Sequence, residues 1–175
     1  MYSLGEIIIT REQIDDRAGR LAEEISAEYA GKDLLLVGVL KGAMIFLADI
    51  CRKIKIPVLI DFIILSSYGV DTITSGVVLL RKDIDGDIKD KHVIIVEDII
   101  DTGVTINYLK GLFEAREPAS LKVCTAFDKA SRRVVDVKPD YCGFVIPDRF
   151  VVGYGLDYAN MYRNLPDLHV VNYND

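Results

Sequence analysis

The chain has 175 residues, half of them hydrophobic, with a formal net charge of −6 at pH 7 and a pI ≈ 5.0. That is room for one domain with a sizeable core, and the acidic balance argues against a general nucleic-acid binder. No apolar run approaches the ~20 residues a membrane helix needs. Residues Met1 to Glu6 show neither the basic region nor the apolar core of a signal peptide. The three cysteines, Cys51, Cys124 and Cys142, sit in apolar surroundings and read as buried free thiols, so a cytoplasmic protein is expected. His92 and His169 are too far apart in sequence to suggest a metal cluster. With no repeat, low-complexity tract or linker, residues 1–175 are expected to form a single domain.

In chain order, Thr10 followed by Gln13 reads as a capping box, and Ile14, Ala18, Leu21, Ala22, Ile25 and Tyr29 make a helical stripe ending near Gly31. Leu34 to Leu40 is a near-continuous apolar run, hence a central strand. Lys41-Gly42 follows, and a helix then carries Ala43, Met44, Phe46, Leu47 and Ile50. Lys41 is either a solvated turn lysine or part of an anion site. Pro57 to Leu65 reads as a strand. The small polar stretch Ser66 to Gly76 is long for a connection in a compact domain and suggests a mobile functional loop. Val77 to Leu80 resumes a strand, and Asp83-Ile84-Asp85-Gly86-Asp87 reads as a hairpin turn. Its aspartate spacing resembles the start of a calcium loop, but Ile88 and Ile94 stand where such a loop needs glycine and glutamate.

The most informative stretch is residues 93–106. Val93 to Val96 make a short buried-strand run, Glu97 and Asp98 follow, and the chain turns through Asp101-Thr102-Gly103-Val104-Thr105. From Ile106 a helical pattern places Ile106, Leu109, Leu112 and Phe113 on one face. A strand, a glycine turn and a helix start offer free N–H groups and the positive end of a dipole to an anion. Yet Glu97, Asp98 and Asp101 repel phosphate. They make sense beside a ligand that also carries hydroxyls or a bridging divalent metal, such as a sugar phosphate with Mg²⁺. The plainer alternative is an acidic connection with an ordinary helix cap.

Glu117-Pro118 ends that helix. Leu121 to Phe127 is a strand capped by Asp128-Lys129, with Ser131, Arg132 and Arg133 beyond, and Tyr141 to Ile146 is one more strand. The aromatic, glycine-punctuated segment from Pro147 to Tyr158 lacks the third glycine of a dinucleotide fingerprint. Strands alternating with helices imply a mostly parallel α/β sheet. Ligands of such sheets bind beyond the carboxyl ends of the strands. Lys41, Glu97, Asp98, Asp101 and Lys129 all follow apolar strands on that side.

The run V-E-D-I-I-D-T-G-V-T, Val96 to Thr105, resembles the phosphoribosyl-pyrophosphate motif of the type I phosphoribosyltransferases, closest to the hypoxanthine-guanine branch. Leu40-Lys41-Gly42, Ser67-Tyr68-Gly69, Lys129 and Ile146 to Asp157 with Arg163 match the same branch in order, so the resemblance spans nearly the whole chain. It implies an α/β fold with a mostly parallel twisted sheet flanked by helices. A small hood would come from the N- and C-terminal segments and a mobile loop. It also implies the reaction of hypoxanthine or guanine with phosphoribosyl pyrophosphate, dependent on Mg²⁺, in which the purine N9 displaces pyrophosphate. Preference among hypoxanthine, guanine and xanthine is left open. Homodimers or homotetramers are implied, with neither nucleic acid nor membrane as partner.

Residue roles follow from the same resemblance. Asp101, Thr102, Gly103, Val104 and Thr105 would hold the 5′-phosphate. Glu97 and Asp98 would hold the ribose hydroxyls, directly or through metal, and Asp157 a second Mg²⁺. Lys41, Gly42 and Arg163 would meet pyrophosphate, the peptide before Lys41 often being cis in the family. Asp101 would be the general base, a role that contributes typically about 10²–10⁴-fold. Lys129 would donate to the purine 6-oxygen, Phe150 stack on the base and Val151 bond it through its backbone. Ser67 and Tyr68 would lie on a lid that excludes water. The sequence departs modestly: Val104 stands where the mammalian enzyme has lysine, and residues 130–133 lack a proline often found there. Competing expectations are another phosphoribosyltransferase, or an RNA-binding regulator of the same fold, which the acidic charge opposes.

Overall fold

The computed structural model describes residues 2–67 and 78–173. Its centre is a six-stranded sheet in the order β4-β3-β2-β5-β6-β7. The strands are β2 (Leu34–Leu40), β3 (Val58–Ser67), β4 (Val78–Lys82), β5 (His92–Ile100), β6 (Ser120–Asp128) and β7 (Tyr141–Val145). All neighbours are parallel except the β3–β4 pair. Alternate residues of β2 and β5 enter two different cores. Leu34, Leu36, Ile94 and Val96 pack with α1 (Arg11–Glu28) and α2 (Met44–Lys53). Leu35, Val37, Val93 and Ile95 pack with α3 (Val104–Glu114). Burial on both faces explains why these strands read as continuous apolar runs.

α1 begins as expected. The Thr10 hydroxyl accepts from the Gln13 N–H (3.4 Å) and the Gln13 side chain accepts from the Thr10 N–H (2.8 Å), forming a capping box. Its predicted stripe is buried from Ile14 to Tyr29. A second, three-stranded antiparallel sheet joins the two ends of the chain in the order β1-β9-β8, built from β1 (Tyr2–Ile9), β8 (Val151–Val152) and β9 (Leu168–Tyr173). It is the terminal part of the expected hood. Arg149 pairs with Glu6, and the Arg11 N–H donates to Asp167 (2.7 Å), tying this sheet to the start of α1.

Three expectations need correction. Asp83 to Asp87 is not a hairpin turn, because β3 and β2 stand between β4 and β5. Its aspartates are anchors instead: Asp83 takes both guanidinium nitrogens of Arg116 (3.0 and 2.6 Å), and Asp61 accepts from the Asp85 N–H (2.7 Å). β5 extends to Ile100, so Glu97 and Asp98 belong to the strand, and α3 starts at Val104 rather than Ile106. Only Cys124 is fully buried, Cys51 and Cys142 being half-buried free thiols. Among the described residues no helix is long and apolar enough to cross a membrane.

Candidate active site

Parallel strands deliver their carboxyl ends to one edge of the sheet. Gly38 of β2 is level with Val96 of β5, and Ile100 of β5 with Asp128 of β6. Lys41, Asp98, Asp101 and Lys129 therefore arrive together. A cleft of ≈ 540 Å³ opens there. It is lined by Asp98, Ile99 and Asp101 from the end of β5, by Lys129 and Arg132 after β6, and by Phe150, Val151, Leu156 and Asp157. A larger depression of ≈ 700 Å³ lies elsewhere, against Arg11, Glu12, Asp15, Asp16 and Asp49. Its carboxylates are already paired, Asp15 with Lys53 (2.7 Å), Asp16 with Arg20 (2.8 Å) and Asp49 with Arg52 (2.5 Å), so it presents little unmatched charge to a ligand.

At the end of β5 the chain turns through Gly103, whose φ of 85° is left-handed, and enters α3, whose first N–H, that of Val104, donates to the Thr102 hydroxyl (3.4 Å). A β-carbon at Gly103 would also press on Arg133 Cδ (2.8 Å) and Val135 Cγ2 (3.0 Å). The first turn of α3 carries no acidic residue. Its N–H groups lack intrahelical partners and the dipole is positive there, which is an anion site in waiting. Thr102, Val104 and Thr105 are half-buried around it.

At the end of β2 the Leu40–Lys41 peptide is cis. Lys41 is exposed, while Gly42 is buried against β5. A β-carbon on Gly42 would occupy the place of the Asp98 carboxylate, and one on Gly155 the place of the Gly42 carbonyl. Two glycines thus let three segments meet: the β2–α2 turn, β5 and the loop after β8. Asp98 accepts from the Ile99 N–H (2.7 Å). Burial nevertheless pushes its pKa up, against the pull of that N–H and of Arg163. Glu97 is pushed well up, first by burial and then by the Asp98 charge, and its Oε2 is buried without a partner.

Lys129 is 5% exposed. Burial lowers its pKa, and the charges of Asp101 and Asp148 oppose that shift. Its N–H donates to the Ile100 carbonyl (2.9 Å), holding the β6 end beside the β5 end. Phe150 is 38% exposed, so it is not a core aromatic, and it meets Tyr158 edge-on at 5.8 Å. Asp157 pairs with Arg163 (2.5 Å), and Arg163 also donates to the Gly155 carbonyl (2.6 Å).

Of the predicted site residues, Asp98, Asp101, Lys129, Phe150, Val151 and Asp157 share the cleft. Gly42 abuts it through Asp98 and Arg163 through Asp157. Ser67 ends β3, and Tyr68 lies outside the described residues with the rest of the expected lid. Sequence reasoning gave no role to Ile99, Leu156, Arg132 or Tyr158. Ile99 and Leu156 carried no signal beyond hydrophobicity. Arg132 stood next to a singled-out lysine, and that adjacency was the one available hint.

The family model described as "Phosphoribosyl transferase domain" matches residues 9–159, so this α/β sheet, with a glycine turn and a buried carboxylate at its carboxyl edge, is that of a phosphoribosyltransferase. The chain is 48% identical over 163 residues to the hypoxanthine phosphoribosyltransferase of Haemophilus influenzae, covering 91% of each. It is 44% identical over 166 residues to the hypoxanthine-guanine phosphoribosyltransferase of Streptococcus pneumoniae, covering 95% of this chain and 92% of the relative. A crystal structure of a hypoxanthine-guanine phosphoribosyltransferase from Bacillus anthracis superposes with a TM-score of 0.92 at 44% identity, over 99% of this chain and 100% of that one. The chain belongs to the hypoxanthine-guanine phosphoribosyltransferase family.

Proposed function

We propose that the protein transfers the phosphoribosyl group of phosphoribosyl pyrophosphate to hypoxanthine or guanine, giving the purine nucleotide and pyrophosphate. The observation that carries this reading is the cleft itself: the ionisable side chains of Asp101 and the buried Lys129 line it together with an exposed aromatic, Phe150, at the strand end that leads through Gly103 into α3. Anion, ribose and planar base each find matching chemistry within one span.

The N–H groups from Thr102 to Thr105 take the 5′-phosphate. Glu97 and Asp98 accept from the ribose hydroxyls, and their charge favours the oxocarbenium-like centre as it develops. Lys41, the Gly42 backbone and Arg163 meet the pyrophosphate. Asp101 accepts the purine N7 proton as N9 bonds to the sugar. Lys129 donates to the 6-oxygen in either of its charge states. Adenine offers an amino donor at that position, leaving both groups unpaired, and sites of this kind discriminate strongly. Phe150 stacks on the base and the Val151 backbone bonds its edge.

Mg²⁺ fits the carboxylates on β5. Both are pushed toward the protonated form by burial, and Glu97 Oε2 has no partner, a situation a hard cation relieves. Among the described residues no cluster of three or more ligands exists, which suits an ion held by one or two carboxylates plus ligand oxygens. Asp157, already paired with Arg163, is the residue proposed for a second ion. When bound, Mg²⁺ neutralises charge on the departing pyrophosphate.

Exposed Met44, Leu59 and Ile60, 53%, 52% and 46% exposed, support assembly into a homodimer or homotetramer. Free thiols support a cytoplasmic setting. The deciding experiment supplies phosphoribosyl pyrophosphate and Mg²⁺ with hypoxanthine, guanine, xanthine or adenine. Turnover of hypoxanthine and guanine but not adenine is expected, abolished by EDTA. Lys129→Ala is expected to narrow the margin against adenine by about tenfold or more. Phosphoribosyl pyrophosphate binding with no turnover of any base would sink the reading.

A further inference from the structure

Asp101 carries the proton transfer in the proposed reaction, and its carboxylate does not stand alone. Arg132 Nε lies 3.0 Å from Asp101 Oδ1, and the other end of the same guanidinium lies 3.4 Å from Asp148 Oδ1. Arg132 lines the cleft with Asp101, Lys129 and Phe150. It closes a short 3-10 turn, Ala130–Arg132, that follows Lys129. The backbone of this turn is stitched to the Asp101 loop. Lys129 N–H donates to the Ile100 carbonyl (2.9 Å), Val134 N–H to the Thr102 carbonyl (3.0 Å), and the Arg133 guanidinium to the Asp101 carbonyl (2.5 Å). Arg133 is itself held by the buried Asp128. The peptide of residue 101 is therefore fixed by Arg133, while its carboxylate pairs with Arg132 and also feels the charge of Lys129.

We propose that Arg132 is a positioning residue for Asp101. Its guanidinium sits at ion-pair distance from Oδ1 without hydrogen-bonding it, so its charge biases how the carboxylate lies and leaves Oδ2 to accept the proton. Asp148 tethers the far end of Arg132 and limits its swing. This rests on the reading of Asp101 as general base. A pair this exposed, with side chains 47% and 40% accessible, adds little to stability. Its value lies in aim, because misplacement by an ångström costs catalysis heavily.

The test is a double-mutant cycle in purine turnover. Arg132→Ala in the wild-type background is expected to lower kcat by about tenfold to a hundredfold, with KM for hypoxanthine little changed. Arg132→Lys, which keeps a donor, is expected to recover part of the loss. In the Asp101→Asn background Arg132→Ala is expected to change kcat by less than about twofold, since the group it aims is gone. Thermal melts of all variants check that they remain folded. An equal loss from Arg132→Ala in both backgrounds, or none in either, overturns the inference while leaving Asp101 in place. Unchanged turnover in Asp101→Asn alone overturns the general-base reading and this inference with it.

Discussion

Two junctions in this molecule share one sequence pattern, an apolar strand followed by glycine and a helix, and use it differently. After β5, glycine supplies a backbone conformation: Gly103 sits at φ 85° and opens the start of α3. After β2, glycine supplies space: a side chain on Gly42 would displace the Asp98 carboxylate, and one on Gly155 would strike the Gly42 carbonyl. One junction opens a helix start, the place proposed for the phosphate, where Val104 N–H already meets the Thr102 hydroxyl. The other lets two neighbouring segments close on it. The chemistry assigned to each follows, proton transfer and phosphate binding at the first, leaving-group contact at the second.

That division is exposed to test, most sharply in catalysis. Asp101→Asn is expected to lower kcat by about 10²–10⁴-fold, the usual worth of general base catalysis. Lys41→Ala is expected to act on binding. Loss of one charge-assisted contact, worth about 1.5–3 kcal/mol, lowers kcat/KM for phosphoribosyl pyrophosphate by about ten- to a hundredfold with a smaller change in kcat. Steady-state kinetics with that substrate varied would decide. Equal kcat losses in the two variants would erase the distinction.

The glycines themselves give a smaller effect. Gly42→Ala is expected to cost about 1–3 kcal/mol by overpacking, and to weaken ribose binding because the group it pushes is Asp98. Gly103→Ala presses on Arg133, whose guanidinium is held by Asp128 and the Asp101 carbonyl, and costs about 1–2 kcal/mol through its left-handed backbone. Urea denaturation beside kcat/KM should show comparable stability losses but a deeper activity loss at Gly42. The reverse order would show that backbone conformation, not space, governs the site.

Much of this was legible in the sequence. The buried strands announced themselves as apolar runs, and the β5–α3 junction as a strand, a glycine turn and a helix face. What stayed hidden depended on distant contacts. Within Tyr2–Ile9 the only local strand signal is the run Ile7 to Ile9, and its pairing with β9 at the other end of the chain cannot be read from it. Asp83 to Asp87 carries turn residues whatever follows it, so only strand order shows that it is no hairpin. The pairing of Arg132 with Asp101, thirty-one positions apart, is a property of two loops meeting over adjacent strand ends. The facing of Gly42 and Asp98 is likewise set by the register of β2 on β5.

Glu97 and Asp98 link the two junctions, and Glu97 offers the gentlest test of the comparison. Burial raises its pKa in the folded protein above the unfolded value. Between those two values the native state holds more protons than the unfolded state, so stability falls as pH rises through that window. Below the unfolded pKa the carboxyl is protonated in both states and the penalty vanishes. Glu97→Gln removes the ionisation and keeps the shape. It is expected to stabilise the ligand-free protein at pH 7, because the amide cannot carry the charge that burial and Asp98 oppose. At pH 4 the gain should shrink. Melting curves of both proteins at the two pH values, without Mg²⁺ and substrate, measure it. A gain of equal size at both would mean that packing, not charge, is what Glu97 strains, and that this carboxylate is not held ready for a cation or a ribose.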